Sequence, residues 1–290
     1  MAGRGLAVES RYRRRVPWWS LLALVAVALV LPSAGVGTPI VMGFDQDLVR
    51  PTQPAAPVDC AAGNVVCLTG DSKSRLTVTR SDVIYDGRGF SSVGITVNAS
   101  NVVVQNFNFT NCAGNCIWMR GTGNVAQDNR ISQVYFAGDD IDGLRFFGND
   151  TKILRNQFFD IRKGPEHDAH VDCMQTWASP STGGGSSGAL IAGNVCRGRD
   201  LHQCIMVEGP GSSDGGGGGP GVTRDWVIEA NYFQCYANQT VALRDAHGFV
   251  IRYNTFAGAG NKAIQQTDGT SGIVIQNNVL GPGYRRLTGD

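Results

Sequence analysis

The sequence predicts an all-β fold, a solenoid of short parallel strands wound into about eight coils. Three observations predict it. A nine-residue pattern centred on one Asn recurs along the chain, most often at a spacing of 23 residues. A second column of short apolar strands lies between its copies. Glycine supplies 39 of 290 residues and charged residues only 17 %, which is about twice the usual glycine content of ~7 %. With 42 % hydrophobic residues the chain is not disordered. Glycine has no three-residue period, which excludes collagen.

The elements follow in order from the N-terminus. Residues 1–15 form a basic, cytoplasmic segment with Arg4, Arg11, Arg13, Arg14 and Arg15. Residues 16–44 carry no charge and read as a signal peptide or signal-anchor helix. No A-x-A cleavage site is present, which favours an anchor. Basic residues stay on the cytoplasmic side, so the body is expected outside the cytoplasm, membrane-anchored or secreted. Residues 45–59, with Pro51, Pro54 and Pro57, read as a Pro-rich linker. Residues 60–290 are the repeat domain. The formal charge is +1 overall and +4 up to Phe44, hence −3 beyond it. A mildly acidic body is a poor partner for nucleic acid.

The repeat comprises NVVVQNFNF (101–109), NVAQDNRIS (124–132), TKILRNQFF (151–159), ALIAGNVCR (189–197), WVIEANYFQ (226–234), FVIRYNTFA (249–257) and IVIQNNVLG (273–281). The recurring residues read as Asn106, Asn129, Asn156, Asn194, Asn231, Asn254 and Asn277, with Asp86 opening the series one coil earlier. β-Branched and polar residues alternate between Gly and Asn turns, which indicates strands. Coils of this length stack at about 4.8 Å. Asn tolerates the left-handed turn conformation, and stacked amides form ladders, so this column is read as structural.

With this repeat and the opening VIYDGRGF, the chain resembles the right-handed parallel β-helix superfamily, which is pectate-lyase-like. The resemblance spans roughly Cys60 to Leu280. It implies a single-stranded right-handed parallel β-helix and activity on an acidic polysaccharide or cell-surface glycan, by lyase, hydrolase or epimerase chemistry. The paired-Asp and Gly-His-Gly pattern of polygalacturonases and the Asp-Pro-His-Asp motif of alginate epimerases are absent.

The second column aligns GITVN (94–98), CIWMR (116–120), GLRFF (143–147), CMQTW (173–177), CIMVE (204–208), TVALR (240–244) and AIQQT (263–267). Second positions, Ile95, Ile117, Leu144, Met174, Ile205, Val241 and Ile264, are all apolar and should point inward. Third and fifth positions then point outward. They include Trp118, Arg145 and Gln175, and Arg120, Trp177, Glu208 and Arg244. Aromatic rings stack on sugars and Arg pairs with uronate or sulfate, so Trp118, Arg120, Trp177, Glu208 and Arg244 are candidate substrate contacts.

The densest polar segment is KGPEHDAHVDCMQTW, 163–177. Its His170-x-Asp172-x-x-Gln175 resembles an H-x-D-x-x-Q element of secreted β-helix proteins. On the preceding coil Asp142 should stack under Asp172, with Arg145 nearby; His202 and Glu208 lie on the next coil. His170, Asp172, Arg145 and Gln175 are the candidate catalytic residues. For lyase chemistry, Arg145, His170 or Lys163 is the candidate base, and Asp142 with Asp172 could hold Ca²⁺. For hydrolysis, Asp142 with Asp172, or Asp172 with Glu208, would be acid and base. A non-catalytic glycan-binding or surface-structural solenoid is the third reading.

Eight cysteines, all beyond the apolar segment, fit disulfides in an oxidising compartment. Cys60–Cys67 and Cys112–Cys116 read as local loops. Cys173 and Cys204 fall on consecutive coils, within disulfide reach. Cys196 and Cys235, also one coil apart, remain as a further pair.

Overall fold

The computed structural model describes residues 56–112, 114–136, 140–163, 169–213, 217–237 and 239–289. The N-terminal basic and apolar segments and most of the Pro-rich linker lie outside them. So do Glu166, His167 and Asp168. No helix among the described residues is long and apolar enough to cross a membrane.

Every named pairing between strands is parallel, and the strands build three long sheets of nine, eight and nine members. The chain visits the sheets in rotation, which gives eight coils with a strand in each sheet, after an opening coil with two strands. The first sheet runs from Val65–Cys67 to Val274–Gln276, the second from Ser91–Ser92 to Val279–Leu280, and the third from Leu76–Val78 to Gly283–Gly289. The second column of the sequence is the third sheet. Ile95, Ile117, Leu144, Met174, Ile205, Val241 and Ile264 are register partners in turn, and all are fully buried.

The interior is a stack of side chains, one layer per coil. Between successive coils Trp226 lies on Phe249 at 4.8 Å, and Phe233 lies against Phe256 at 5.8 Å. The Trp226 indole N–H, wholly buried, donates to the Ser186 carbonyl at 3.1 Å. A single coil exposes both flanks of its layer, so only stacking closes the core.

The Asn column turns the chain from the first sheet to the second. Asn129, Asn156, Asn194 and Asn231 each give their backbone N–H and side-chain N–H to the Oδ1 of the next Asn, at 2.8–3.1 Å. At the two ends the sequence reading was one residue off. Phe107, not Asn106, donates to Asn129, and Asn278, not Asn277, receives Asn254. Asn106 and Asn277 instead occupy the preceding left-handed position, at φ 58° and 53°. Both slots suit Asn, which is why a doubled or nearby Asn misleads the alignment. Asp86 lies in register with Gln105, one position before the ladder residue's left-handed neighbour.

That left-handed slot also holds Arg155, Ala230 and Tyr253, at φ 54–57°. Gly193 fills it once without steric cost. Ala230→Gly should therefore stabilise the fold by roughly 0.5–1 kcal/mol, the left-handed penalty less glycine's entropy cost. A shift of the urea midpoint to higher concentration at constant slope checks this.

The disulfides differ from the expected map. Cys60–Cys67 and Cys112–Cys116 form as read. Cys196, however, lies within disulfide reach of both Cys173 and Cys204, with Cα separations of 6.2 and 5.9 Å, and not of Cys235, which is a buried free thiol. Cys173 and Cys204 are neighbours along the third sheet, and Cys196 lies beside both on a strand of the second sheet.

Candidate functional site

A second polar ladder marks the entrance to the third sheet, two residues before each inward apolar residue. Asn115 Oδ1 accepts the backbone N–H of Asp142 at 2.8 Å. Asp142 Oδ1 accepts that of Asp172 at 2.8 Å, and Asp172 Oδ1 accepts that of Gln203 at 2.7 Å. An amide oxygen suffices for this task, as Asn115 shows. Carboxylates at 142 and 172 add a second, ionisable oxygen that the ladder does not require.

Those second oxygens face the site. Asp142 Oδ2 accepts from Arg145 Nε at 2.5 Å. Asp172 Oδ2 has no hydrogen-bond partner among the described residues and lies 3.5 Å from His170 Nδ1. Gly143 lets the strands close behind this pair. A Cβ there would stand 2.8 Å from Phe158 and 2.9 Å from the Cys173 carbonyl. His170 stacks on His202 with ring centroids 4.3 Å apart, and His202 Nδ1 accepts the Val171 N–H at 3.3 Å.

Burial sets the protonation states. Asp142 and Asp172 are wholly enclosed. Loss of solvent raises Asp142 to about 6 in spite of the adjacent Arg145 guanidinium. Asp172 is pushed well above the usual carboxylate range by burial and then by the charge of Asp142. Burial, then His202, lowers His170 to about 4, so its imidazole is neutral at pH 7.

Unsatisfied polar atoms gather here. Arg145 Nη2, His170 Nδ1, Asp172 Oδ2, Gln175 Oε1 and Gln203 Oε1 are all buried without a hydrogen-bond partner among the described residues. Each such atom costs about 1–3 kcal/mol unless something pairs with it. Four such atoms beside the unpartnered Asp172 oxygen are what a polar ligand would relieve.

Around this centre lies an aromatic and cationic shell. Trp118, Phe147 and Trp177 contact one another with centroids 4.7–6.0 Å apart. Arg120 sits over Trp118 at 5.1 Å and Arg145 over Trp177 at 4.8 Å. Trp118, Arg120, Trp177 and Arg244 are half-buried; Glu208 is buried and lies 3.7 Å from Arg244. The outward face is thus more enclosed than strand alternation implies, because Met206 and Ala242 are also covered. The structure brings Asp142, Arg145, His170, Asp172 and Gln175 together. It leaves Glu208 and Arg244 at the far end of the strands.

Asp142 and Asp172 by themselves do not complete a Ca²⁺ site. That ion takes six to eight oxygens at 2.3–2.6 Å. Of four carboxylate oxygens, two hold backbone N–H groups and a third holds Arg145.

Sequence reasoning missed Asn115 and Gln203. Their signal was positional, since both sit two residues before an inward apolar residue, Ile117 and Ile205. A column of polar residues of mixed type is harder to see than a column of Asn.

Among solved structures, the A-modules of the Azotobacter vinelandii mannuronan C-5 epimerases AlgE4 and AlgE6 are similar, at 11 % identity and TM-scores of 0.32 and 0.34. Both matches cover 78 % of this chain, and 78 % and 81 % of the respective modules. The Dettilon tailspike protein is similar at 11 % identity and a TM-score of 0.34, over 77 % of this chain and 61 % of that one. No curated protein matches the sequence. The family described as right handed beta helix region matches residues 61–280, the span in which parallel strands, rotating sheets and the Asn ladder are found, and the chain belongs to that family.

Proposed function

We propose that the chain is a carbohydrate-active enzyme that cleaves an acidic polysaccharide by β-elimination. The observation that carries this reading is the unpartnered Asp172 Oδ2, enclosed with Arg145, His170 and Gln175 in a ladder where an amide would suffice. In the reaction a base removes the proton from C5 of a uronate. The electron pair forms the C4–C5 double bond, the C4–O4 bond breaks, and the departing oxygen takes up a proton. Arg145 Nη2 and Gln175 receive the uronate carboxylate and stabilise the charge that develops on it. His170, neutral and with Nδ1 unpartnered among the described residues, takes the C5 proton. The incoming carboxylate adds negative charge beside His170 and raises its basicity. Protonated Asp172 supplies the proton for the leaving oxygen. Trp118 and Trp177 stack on flanking sugar rings, and Arg120 and Arg244 pair with their carboxylates.

Hydrolysis is less well supported. Asp142 has both oxygens engaged, so it is not free as a second acid or base. Asp172 and Glu208 are separated by about 16 Å along the strand direction, at ~3.3 Å per residue, far beyond an inverting pair.

The test is a panel of uronans, followed by absorbance of unsaturated product near the chain ends. His170→Ala should lower turnover by roughly 10²–10⁴. Trp177→Ala should weaken uronan binding by about tenfold, with the fold unchanged by circular dichroism. New reducing ends without that absorbance would assign hydrolysis. Deuterium entering C5 from D₂O without absorbance would assign reprotonation. Binding with none of these signals overturns the enzyme reading. Export of the body, held to a membrane by residues 16–44, belongs to the same proposal; fractionation of tagged full-length chain with and without those residues tests it.

A further inference from the structure

Three cysteines meet in the interior directly behind the candidate site. Cys173 and Cys204 are each fully buried on adjacent strands of the third sheet. Cys196, also fully buried, faces them from the strand Val195–Arg197 of the second sheet. Its Cα lies 6.2 Å from that of Cys173 and 5.9 Å from that of Cys204. Both separations fall inside the range of about 4.4–6.8 Å that a disulfide spans. All three sulfurs lie within 4.8 Å of one another.

One sulfur holds one disulfide at a time. We propose that Cys196 is a shared disulfide partner, bonded to Cys173 in some molecules and to Cys204 in others, with the remaining member kept as a buried thiol. The two forms interconvert by internal exchange. The Cys204 thiolate attacks Sγ of Cys196, a Cys196–Cys204 bond forms, the Cys173–Cys196 bond breaks, and its electron pair leaves on Cys173, which takes a proton. One disulfide and one thiol are present before and after, so no oxidant or reductant is consumed. Exchange is slow in the folded chain, since a dry interior disfavours the thiolate.

The position gives the pair of forms a consequence. Cys173 follows Asp172, and Cys204 follows Gln203, whose N–H supports Asp172 at 2.7 Å. One form ties the strand carrying Asp172 to the second sheet; the other ties the strand carrying Gln203. This is an alternative clamp under the site, and it does not depend on which reaction the site performs.

Thiol titration and peptide mapping on the oxidised full chain test it. The eight cysteines should yield no reactive thiol when folded and two after unfolding in denaturant: Cys235 and the leftover member of the trio. Acid quenching and alkylation, then cleavage with trypsin and chymotrypsin, separate the three residues at Trp177 and Arg197. Both Cys173–Cys196 and Cys196–Cys204 peptides are expected. Cys173→Ser and Cys204→Ser should each keep one bond to Cys196 and expose a single thiol on unfolding. Zero thiols after unfolding, a Cys196–Cys235 peptide, a Cys173–Cys204 peptide, or only one of the two expected peptides in the unmodified chain overturns the proposal.

Discussion

Replacing Asp172 by asparagine should raise the stability of the folded chain at neutral pH and abolish its turnover. The ladder bond survives, because an amide Oδ1 accepts the Gln203 N–H as the carboxylate does. The second oxygen, buried and unpartnered, becomes an N–H₂ that points toward His170 Nδ1, 3.5 Å away in the parent chain. The expected gain is about 1–3 kcal/mol, the cost of an unsatisfied buried polar group, or roughly 2–4 °C in Tm per kcal/mol. The pH dependence gives the sign. Asp142 and Asp172 titrate above their unfolded values, so their contribution to stability is complete below about 4. For Asp142 it is lost as pH rises through about 6. Asp172, shifted in the same direction, adds to that loss. His170 acts oppositely: its contribution is present above about 6.5 and is lost as pH falls through about 4. The two carboxyls act as a coupled pair. In Asp172→Asn the decline of Tm from pH 5 to pH 8 should flatten. Differential scanning calorimetry across that range, beside the uronan assay, measures both effects. An unchanged or lower Tm at pH 8 with undiminished turnover would refute the role given to this residue.

Removing one amide from the middle of the Asn ladder should be the most destabilising single change outside the site. Asn194 is wholly enclosed. Its Oδ1 accepts two N–H groups from Asn156, at 2.8 and 3.1 Å, and its side-chain N–H₂ donates to the Ile153 carbonyl at 2.8 Å and to Asn231 at 3.0 Å. In Asn194→Ala the Asn156 N–H and Ile153 C=O are stranded in a dry interior. A loss of about 3–5 kcal/mol is expected, at ~1–3 kcal/mol for each stranded group. Asn278, half-buried on the last coil, likewise accepts both Asn254 N–H groups and donates to the Ile251 carbonyl, but has no further Asn to donate to. Asn278→Ala should cost about 1 kcal/mol or less. Urea unfolding of the two variants side by side reads out the difference, and equal losses would mean that the ladder is not held by burial.

Most of the fold was legible because its physics is periodic. Each coil repeats one inward apolar position, and the seven residues read there are register partners and fully buried. The stacking of Asp142 beneath Asp172 was legible for the same reason: a residue two places before an inward apolar residue repeats with the coil. The errors came where periodicity gives no choice between neighbours. Asn106 and Asn277 lie beside the ladder, in a left-handed slot that Asn also fills.

The sequence by itself determined the coil, the inward and outward columns, and the adjacency of the carboxylates to His170, since each follows from strand alternation and the stacking of equal units. Only the tertiary structure decided what those neighbours do. Alternation says which way a side chain points, but not how much solvent it keeps or which partner it meets across the interior. The enclosure that drives Asp142 upward and His170 downward, and the Arg145 bond to Asp142, come from coils packed around one point. The meeting of Cys196 with Cys173 and Cys204, in place of Cys235, is a contact between sheets, and spacing along the chain carries no record of it.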